Sequence, residues 1–393
     1  MMPPMDRLLR IRRDVIAAVA PLAAGELVAL DAASGRFLAE DACARVPAPP
    51  FTCSAMDGFA VRAADVRGPS ELAVRGALYA GDVPRAALGP GEAIRIFTGA
   101  SLPDGADAVV REEAAREDGG RVRFQAAAVP GENVRRAGED VPAGGVAVAT
   151  GARIGARQAA LLAAVGVDRV RVRRTASVAV IATGDEVVSG RTPDSNGVAV
   201  AGLLRAAGLA PVRTAVGDRV EAIEAALAEA LATCDAALTI GGVSVGARDH
   251  VPEALARLGA EVRVHGVPMK PGKPFLFALR AGRPVLGLPG SPSACLAAFE
   301  VFARPALLAL AGAAVRDRPT LRLRLAEPAA GKPGRARLLW GRLEPDGRVR
   351  PVGRDAAQVR GPALADALLY VPEGVGDLAE GEEVETWLLA EAG

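Results

Sequence analysis

Lys270 and Lys273 stand three residues apart in the string Met269-Lys270-Pro271-Gly272-Lys273-Pro274, in a chain that holds three lysines against 44 arginines. A composition that fills its basic positions with Arg gives no general reason to set two Lys together. The compact, mobile ammonium suits a phosphate or another oxyanion where the planar guanidinium fork does not. The plainer reading is a solvated loop that happens to carry both charges.

Three more groups of residues suit chemistry beside such an anion. Gly241-Gly242-Val243-Ser244-Val245-Gly246 can bring backbone N–H groups close to negative charge, with a hydroxyl at Ser244. It is neither a GxxxxGK[ST] P-loop nor a GxGxxG dinucleotide fingerprint, and a tight turn would account for it equally. Pro289-Gly290-Ser291-Pro292-Ser293 puts Ser at the start of a helix, either as a plain N-cap or where free N–H groups favour an anion. Asp185, Glu186, Asp218 and Asp249 would repel a phosphate unless a cation intervenes, which argues for Mg2+. As loop acids or lysine partners they need no ion. No Ser/His or Cys/His nucleophile pair accompanies them, so the composite is a phosphate-bearing ligand with a divalent ion.

The elements around these strings predict one rim for all of them. Residues 177–183, 211–216, 236–240, 261–267 and 284–288 read as strands, and helices are expected over 196–207, 220–234, 251–258 and 293–310. Strands alternating with helices predict a three-layer parallel-sheet domain with right-handed crossovers. Ligands bind such sheets beyond the carboxyl ends of the strands. Thr183-Gly184-Asp185-Glu186, the glycine loop with Asp249, the lysine loop and the Pro289 loop each follow a strand there, as does Asp218.

On either side the texture is β-rich. Short alternating runs fill 45–175 (LAVRGALYA, AIRIFTG, AVVREE, RVRFQAA, GVAVATG) and the tail from about 317 (LRLRLAE, ARLLWGRLE, RVRPVG, ALLYVPE, EVETWLL). In the first block Ser54-Ala55-Met56-Asp57-Gly58-Phe59-Ala60, Phe97-Thr98-Gly99-Ala100 and Arg135-Arg136-Ala137-Gly138-Glu139-Asp140 read as turns with salt links.

With 393 residues the chain has room for two to four domains, and 50% apolar with 24% charged residues makes it globular. A net charge of +1 and 3% aromatics offer no basic face or stacking surface for nucleic acid. Cys43, Cys53, Cys234 and Cys295 are scattered, and with only His250 and His265 beside them they argue against zinc and for reduced thiols in the cytoplasm. Arg7–Arg13 followed by an Ala-rich run faintly resembles a leader, but Asp14 and Pro21 interrupt it, so an amphipathic helix is expected. No stretch reads as the ~20 apolar residues of a membrane span.

Taken together, SAMDGFA, FTGA, RRAGED, ATGDE, DSN, GGVSVGARD, MKPGKP and GLPGSP occur in order over nearly the whole chain, and in this the sequence resembles the molybdopterin molybdenumtransferase family, bacterial relatives of the gephyrin E domain. The resemblance implies four domains: an elongated discontinuous one over 1–44 and 133–175, a β domain inserted at 45–132, an α/β molybdopterin-binding domain at 176–316 and a C-terminal β-barrel at 317–393. It implies a homodimer whose active site lies between the α/β domain of one subunit and the β domain of the other. The implied substrates are adenylylated molybdopterin and molybdate, with Mg2+, and the products molybdenum cofactor and AMP. Asp57, Thr98 and Asp140 would line the site from the β side; Glu186, Asp218, Ser244, Asp249, Lys270 and Lys273 from the α/β side. Glu186 and Asp249 would take the metal and its water, and the lysines phosphate or molybdate. Gly184, Asp185, Asn196, Gly241, Gly242, Gly246, Pro271, Gly272, Pro289, Gly290 and Ser291 would shape the substrate's seat. A molybdopterin adenylyltransferase would donate the substrate, and apo-molybdoenzymes or their chaperones would accept the product.

Three departures from the family pattern stand out. Ser291 replaces the usual Asn of a PGNP turn, Arg219 replaces the second Asp of an Asp-Asp pair, and the segment from Glu186 to Asn196 is short. Competing readings are a non-catalytic molybdopterin carrier or scaffold, and a tungsten-preferring or adenylyltransferase-like enzyme. The intact Asp, Glu and Lys set speaks against the first, and the 45–175 block against the last.

Overall fold

A computed structural model describes residues 6–23, 25–244, 249–353 and 357–389. At its centre is a six-stranded sheet in the order Ala210–Val216, Ser177–Thr183, Ala236–Ile240, Arg283–Leu288, Leu276–Arg280, Glu261–His265. The first four are parallel, as alternation with helices predicts. Leu276–Arg280 is antiparallel to both its neighbours, which makes the sheet mixed and adds a strand absent from the sequence reading. It forms a hairpin with Arg283–Leu288 through Ala281 and Gly282, both at positive φ (49° and 77°), the mirror-image turn that matches strand twist. Glu261–His265 thereby runs parallel to Arg283–Leu288, and the lysine loop after it stays on the carboxyl rim.

Ser177–Thr183 is apolar on both faces because helices cover both. Val178 and Val180 pack toward the helices Ser195–Ala206 and Pro292–Leu310, while Ala179 and Ile181 face Val220–Thr233 and Val251–Arg257. The long helix is 19 residues with hydropathy high enough for a membrane span, contrary to the expectation of no such stretch, but 94% of it is buried inside the protein. It widens into a π segment over Phe299–Ala303 just before Pro305, which cannot donate to the carbonyl of Val301. Arg12 supplies that carbonyl with a hydrogen bond of 2.9 Å from Nε.

The opening helix Arg7–Ala17 is capped by Asp6, whose carboxylate accepts from the Leu9 N–H, and buries Leu8 and Val15 in the core shared by the long helix and the C-terminal sheet. That last sheet closes on itself. Strands Ala336–Leu343, Ala367–Val371, Glu383–Leu388 and Thr320–Arg324 follow in order, and a bridge from Leu325 to Val349 leads through Val349–Pro351 back to the first. Closure leaves few free edges. Trp340 donates from Nε1 to the buried Ser293 Oγ at 2.8 Å, joining this barrel to the start of the long helix.

The β-rich half holds another six-stranded sheet, in the order Ala108–Arg111, Gly58–Val61, Glu92–Ile96, Ser70–Leu78, Arg121–Phe124, Ala115–Asp118. Outside it, Gly25–Ala29 pairs with Arg169–Arg173, and Ala42–Cys43 with Val146–Val148.

Candidate functional site

The carboxyl rim of the central sheet assembles most of the residues singled out from the sequence. Thr183 is buried, and its hydroxyl bonds the Ile240 carbonyl at 3.2 Å. A Cβ on Gly241 would stand 2.8 Å from that hydroxyl, so only glycine lets the loop cross here, at φ 91°. Gly242 follows at φ 65°, and its carbonyl accepts from the Val251 N–H at 3.1 Å, tying the glycine loop to the helix that Asp249 precedes. Ser244 is exposed. Gly246 lies outside the described residues.

Ser244 and Val243 face His265, Gly266, Lys273 and Pro274 across a cleft of about 150 Å³. His265 Nε2 lies 3.0 Å from the Val243 carbonyl and fixes one wall. The lysine loop is shaped by backbone bonds from Val267 N–H to Lys273 O and from Gly266 N–H to Phe275 O, both 2.8 Å. Gly272, at φ 104°, leaves room for the Met269 side chain beneath it, and the Lys270–Pro271 peptide is cis. Both lysines are exposed.

Met269–Lys270 also forms a short parallel ladder with Ala336–Arg337 of the barrel. Lys270 is therefore level with Arg337, whose Nε is buried without a hydrogen-bond partner. Sequence reasoning left Arg337 among the alternating residues of a C-terminal strand. Only the ladder between domains marks it as a third cation near the rim.

The acids divide by what their oxygens do. The Asp218 N–H donates to Asp185 Oδ1 at 3.1 Å, and the Asp185 N–H to Asp218 Oδ2 at 3.4 Å. This reciprocal pair closes the rim between two strands and occupies one oxygen of each. The Glu186 carboxylate folds back over Gly184, to within 2.6–2.9 Å of where a Cβ would stand. Asn196 donates to the Gly290 carbonyl at 2.7 Å and so docks the Pro289-Gly290-Ser291 loop. Asp194, not Asn196, caps the helix Ser195–Ala206. Ser291 occupies the N-cap position of the long helix, but its hydroxyl makes no capping bond.

Among the described residues no group of three or more Asp, Glu, His or Cys closes around a metal position. Mg2+ takes one or two carboxylates and completes its shell with water and substrate phosphate, so it does not require such a cluster. Glu186 and Asp249, exposed and half-exposed, fit that donor set.

Asp57 and Thr98 come together elsewhere, and Asp140 lies on a segment tied to the same short strand. The Asp57 Oδ1 accepts from the Thr98 N–H at 2.8 Å and from its hydroxyl at 2.7 Å. These two bonds, backbone first, and the nearby Arg95 hold the Asp57 carboxyl below the usual range. Asp140 pairs with Arg135 at 2.6 Å, and Arg135 also holds Glu139. Strand Val134–Arg135 pairs with Cys53–Ser54, whose Ser54 bonds the Gly99 and Ala100 backbone. One short segment thus organises all three loops, and their partners belong to the β-rich half.

Family models match the chain in three parts: a MoeA N-terminal region (domain I and II) over residues 6–166, a probable molybdopterin binding domain over 179–309, and a MoeA C-terminal region (domain IV) over 322–389. A molybdopterin molybdenumtransferase of Nostoc is 37% identical, over 81% of this chain and 77% of its own. Molybdopterin molybdenumtransferase 2 of Mycobacterium tuberculosis is 36% identical, over 92% and 94% respectively. The crystal structure of a molybdopterin biosynthesis MoeA protein from Pyrococcus horikoshii superposes with a TM-score of 0.83 at 27% identity, covering 98% of this chain and all of that one. The chain belongs to the molybdopterin molybdenumtransferase family and is a transferase of molybdenum cofactor biosynthesis.

Proposed function

We propose that this protein takes adenylylated molybdopterin and molybdate, in the presence of Mg2+, and yields molybdenum cofactor and AMP. The observation that carries this reading is the meeting of the glycine loop and the lysine loop across one cleft, with Glu186, Asp185, Asp218 and Asp249 on the same rim. The reaction cleaves a pyrophosphate as a molybdate or water oxygen attacks phosphorus, so positioning and charge neutralisation supply most of the rate. Lys270 and Lys273 bear on the phosphate or molybdate oxygens. Ser244 and the glycine-loop backbone orient the anion, and Asn196 holds the Gly290 carbonyl so that Pro289–Ser291 keeps its shape against the substrate. Mg2+, when bound by Glu186 and Asp249, would neutralise charge on the diphosphate.

Asp57, Thr98 and Asp140 complete the site in this reading from the β domain of a second subunit, which makes the working protein a homodimer. That fits their clustering apart from the rim residues, around Cys53–Ser54. The four free cysteines suit the cytoplasm, where an adenylyltransferase would hand over the substrate and apo-molybdoenzymes or their chaperones would take the product.

The test is AMP release by the purified protein with molybdate and Mg2+ supplied or withheld. Release that needs both, with product that activates an apo-molybdoenzyme, is expected. Tight binding of the adenylylated substrate without release would replace the transferase with a carrier.

A further inference from the structure

Among the described residues, the two aromatic side chains left exposed are Phe51 at 42% and Tyr79 at 56%, in a chain with only 3% aromatics. Both sit on loops that touch the Asp57–Thr98 pair. Thr52, next to Phe51, accepts from the Leu102 N–H, and Met56, 41% exposed, precedes Asp57. Ala80, next to Tyr79, approaches to 3.8 Å of where a Gly99 Cβ would stand. Apolar side chains that stay exposed around a polar pair are the makings of a ligand surface.

Tyr79 is held in place. The segment Tyr79-Ala80-Gly81-Asp82 is a tight turn with Gly81 at φ 95°, closed by Asp82 N–H to Tyr79 O at 3.0 Å. The Asp82 carboxylate accepts from the Tyr79 N–H at 2.8 Å. The Tyr79 ring lies on Phe97 with centroids 4.6 Å apart and planes 9° from parallel, and the Arg95 guanidinium stands 5.6 Å from the Phe97 centroid. Phe97 is the residue before Thr98, and its N–H bonds the Leu78 carbonyl at 3.1 Å.

A stack that uses one face of Tyr79 and leaves the residue mostly exposed presents a second, preoriented face to solvent. We infer that Tyr79, seated on Phe97, is a stacking platform for a planar heterocycle of the substrate, adenine or pterin. The inference rests on the transferase reading for the identity of the ligand. Tyr79 would position the substrate's ring and leave the chemistry to the charged residues, so it acts on substrate binding and not on turnover at saturation.

The experiment compares wild type, Tyr79→Ala and Tyr79→Phe. It measures KM and kcat for AMP release from adenylylated molybdopterin, and direct calorimetric binding of that substrate and of AMP alone. Loss of one stacked ring is expected to raise KM and substrate Kd about tenfold or more in Tyr79→Ala, with kcat and the melting midpoint nearly unchanged. Tyr79→Phe should restore both. Weaker AMP binding in Tyr79→Ala would identify the ring as adenine; unchanged AMP binding with weaker substrate binding would identify it as pterin. Wild-type KM and Kd in Tyr79→Ala would overturn the platform, and so would a loss that sedimentation traces to a changed oligomeric state. If the wild type itself releases no AMP, the transferase reading fails, while the binding arms still decide whether Tyr79 holds a ring.

Discussion

The Asp57 carboxylate and Thr98 are joined twice, by the Thr98 backbone N–H at 2.8 Å and by its hydroxyl at 2.7 Å, both onto Oδ1. Oδ1 is thereby engaged, which leaves Oδ2 as the oxygen available to a ligand. The two bonds also keep Asp57 ionised to lower pH than an ordinary aspartate.

Thr98→Val removes the hydroxyl bond and spares the backbone one, so the Asp57 pKa should rise part of the way toward its usual value. Because the folded-state pKa is depressed, whatever stability Asp57 contributes is present above the unfolded pKa and is lost as pH falls through the folded one. The side chain is fully exposed, so the visible effect belongs in activity. The acid limb of the pH profile of AMP release should move to higher pH, as should the carboxyl titration followed by NMR. An unmoved limb would remove Asp57 from the reaction.

Lys270→Ala and Lys273→Ala should each lower AMP release by roughly 100-fold or more, the scale of a lost electrostatic contact to the transition state. Arg at either position should rescue poorly, because the planar fork does not reproduce a compact ammonium. Wild-type rates in both Ala variants would make the loop a bystander.

At Gly184, φ is 149° and an added Cβ would stand 2.6 Å from Glu186 Oε1. The atom it meets is the far end of a flexible side chain, so in Gly184→Ala the carboxylate swings away and the fold stays intact. Backbone strain should cost about 1–3 kcal/mol of stability. The displaced Glu186 should raise the Mg2+ concentration needed for half-maximal AMP release. Normal Mg2+ dependence in a folded variant would take Glu186 off the metal.

Glu300 and Arg318 form a two-pronged ion pair at 3.0 and 3.1 Å, both side chains only 3% exposed, between the long helix and the entry to the barrel. Glu300→Ala removes both of these bonds from the buried guanidinium and should cost about 3–5 kcal/mol in denaturant unfolding. Replacing the pair together, as Glu300→Met with Arg318→Leu, should recover part of that loss. A Glu300→Ala protein as stable as wild type would show that water or another acceptor takes over.

The alternating runs of the flanks and the periodic segments between 177 and 310 were legible because burial on one face or two leaves a period in the residue types. LRLRLAE, ARLLWGRLE, RVRPVG, ALLYVPE and EVETWLL each became a barrel strand. Leu276–Arg280 was not legible, because it follows the lysine loop closely and, of its two turn residues Ala281 and Gly282, only the glycine carries a turn signature. The long helix failed a reading by composition for a related reason. Core and membrane helices share an apolar surface, and only the packing around Pro292–Leu310 tells them apart.

For the site, the sequence by itself determined which residue types stand at the ends of which strands: the glycines at 241–242, the paired lysines, and the acids at 185, 186, 218 and 249. Local chemistry writes those choices, since a positive φ or a close crossing demands glycine wherever it occurs. Tertiary structure alone decided how they are used. It set Asp185 and Asp218 on each other's backbone and Asn196 on Gly290, and it left Ser291, at the helix start already marked by its neighbours, without a capping bond. It also brought Arg337 beside Lys270 and Tyr79 onto Phe97. These pairings join segments between 18 and 94 positions apart, and no local pattern records them; the packing of the whole chain does.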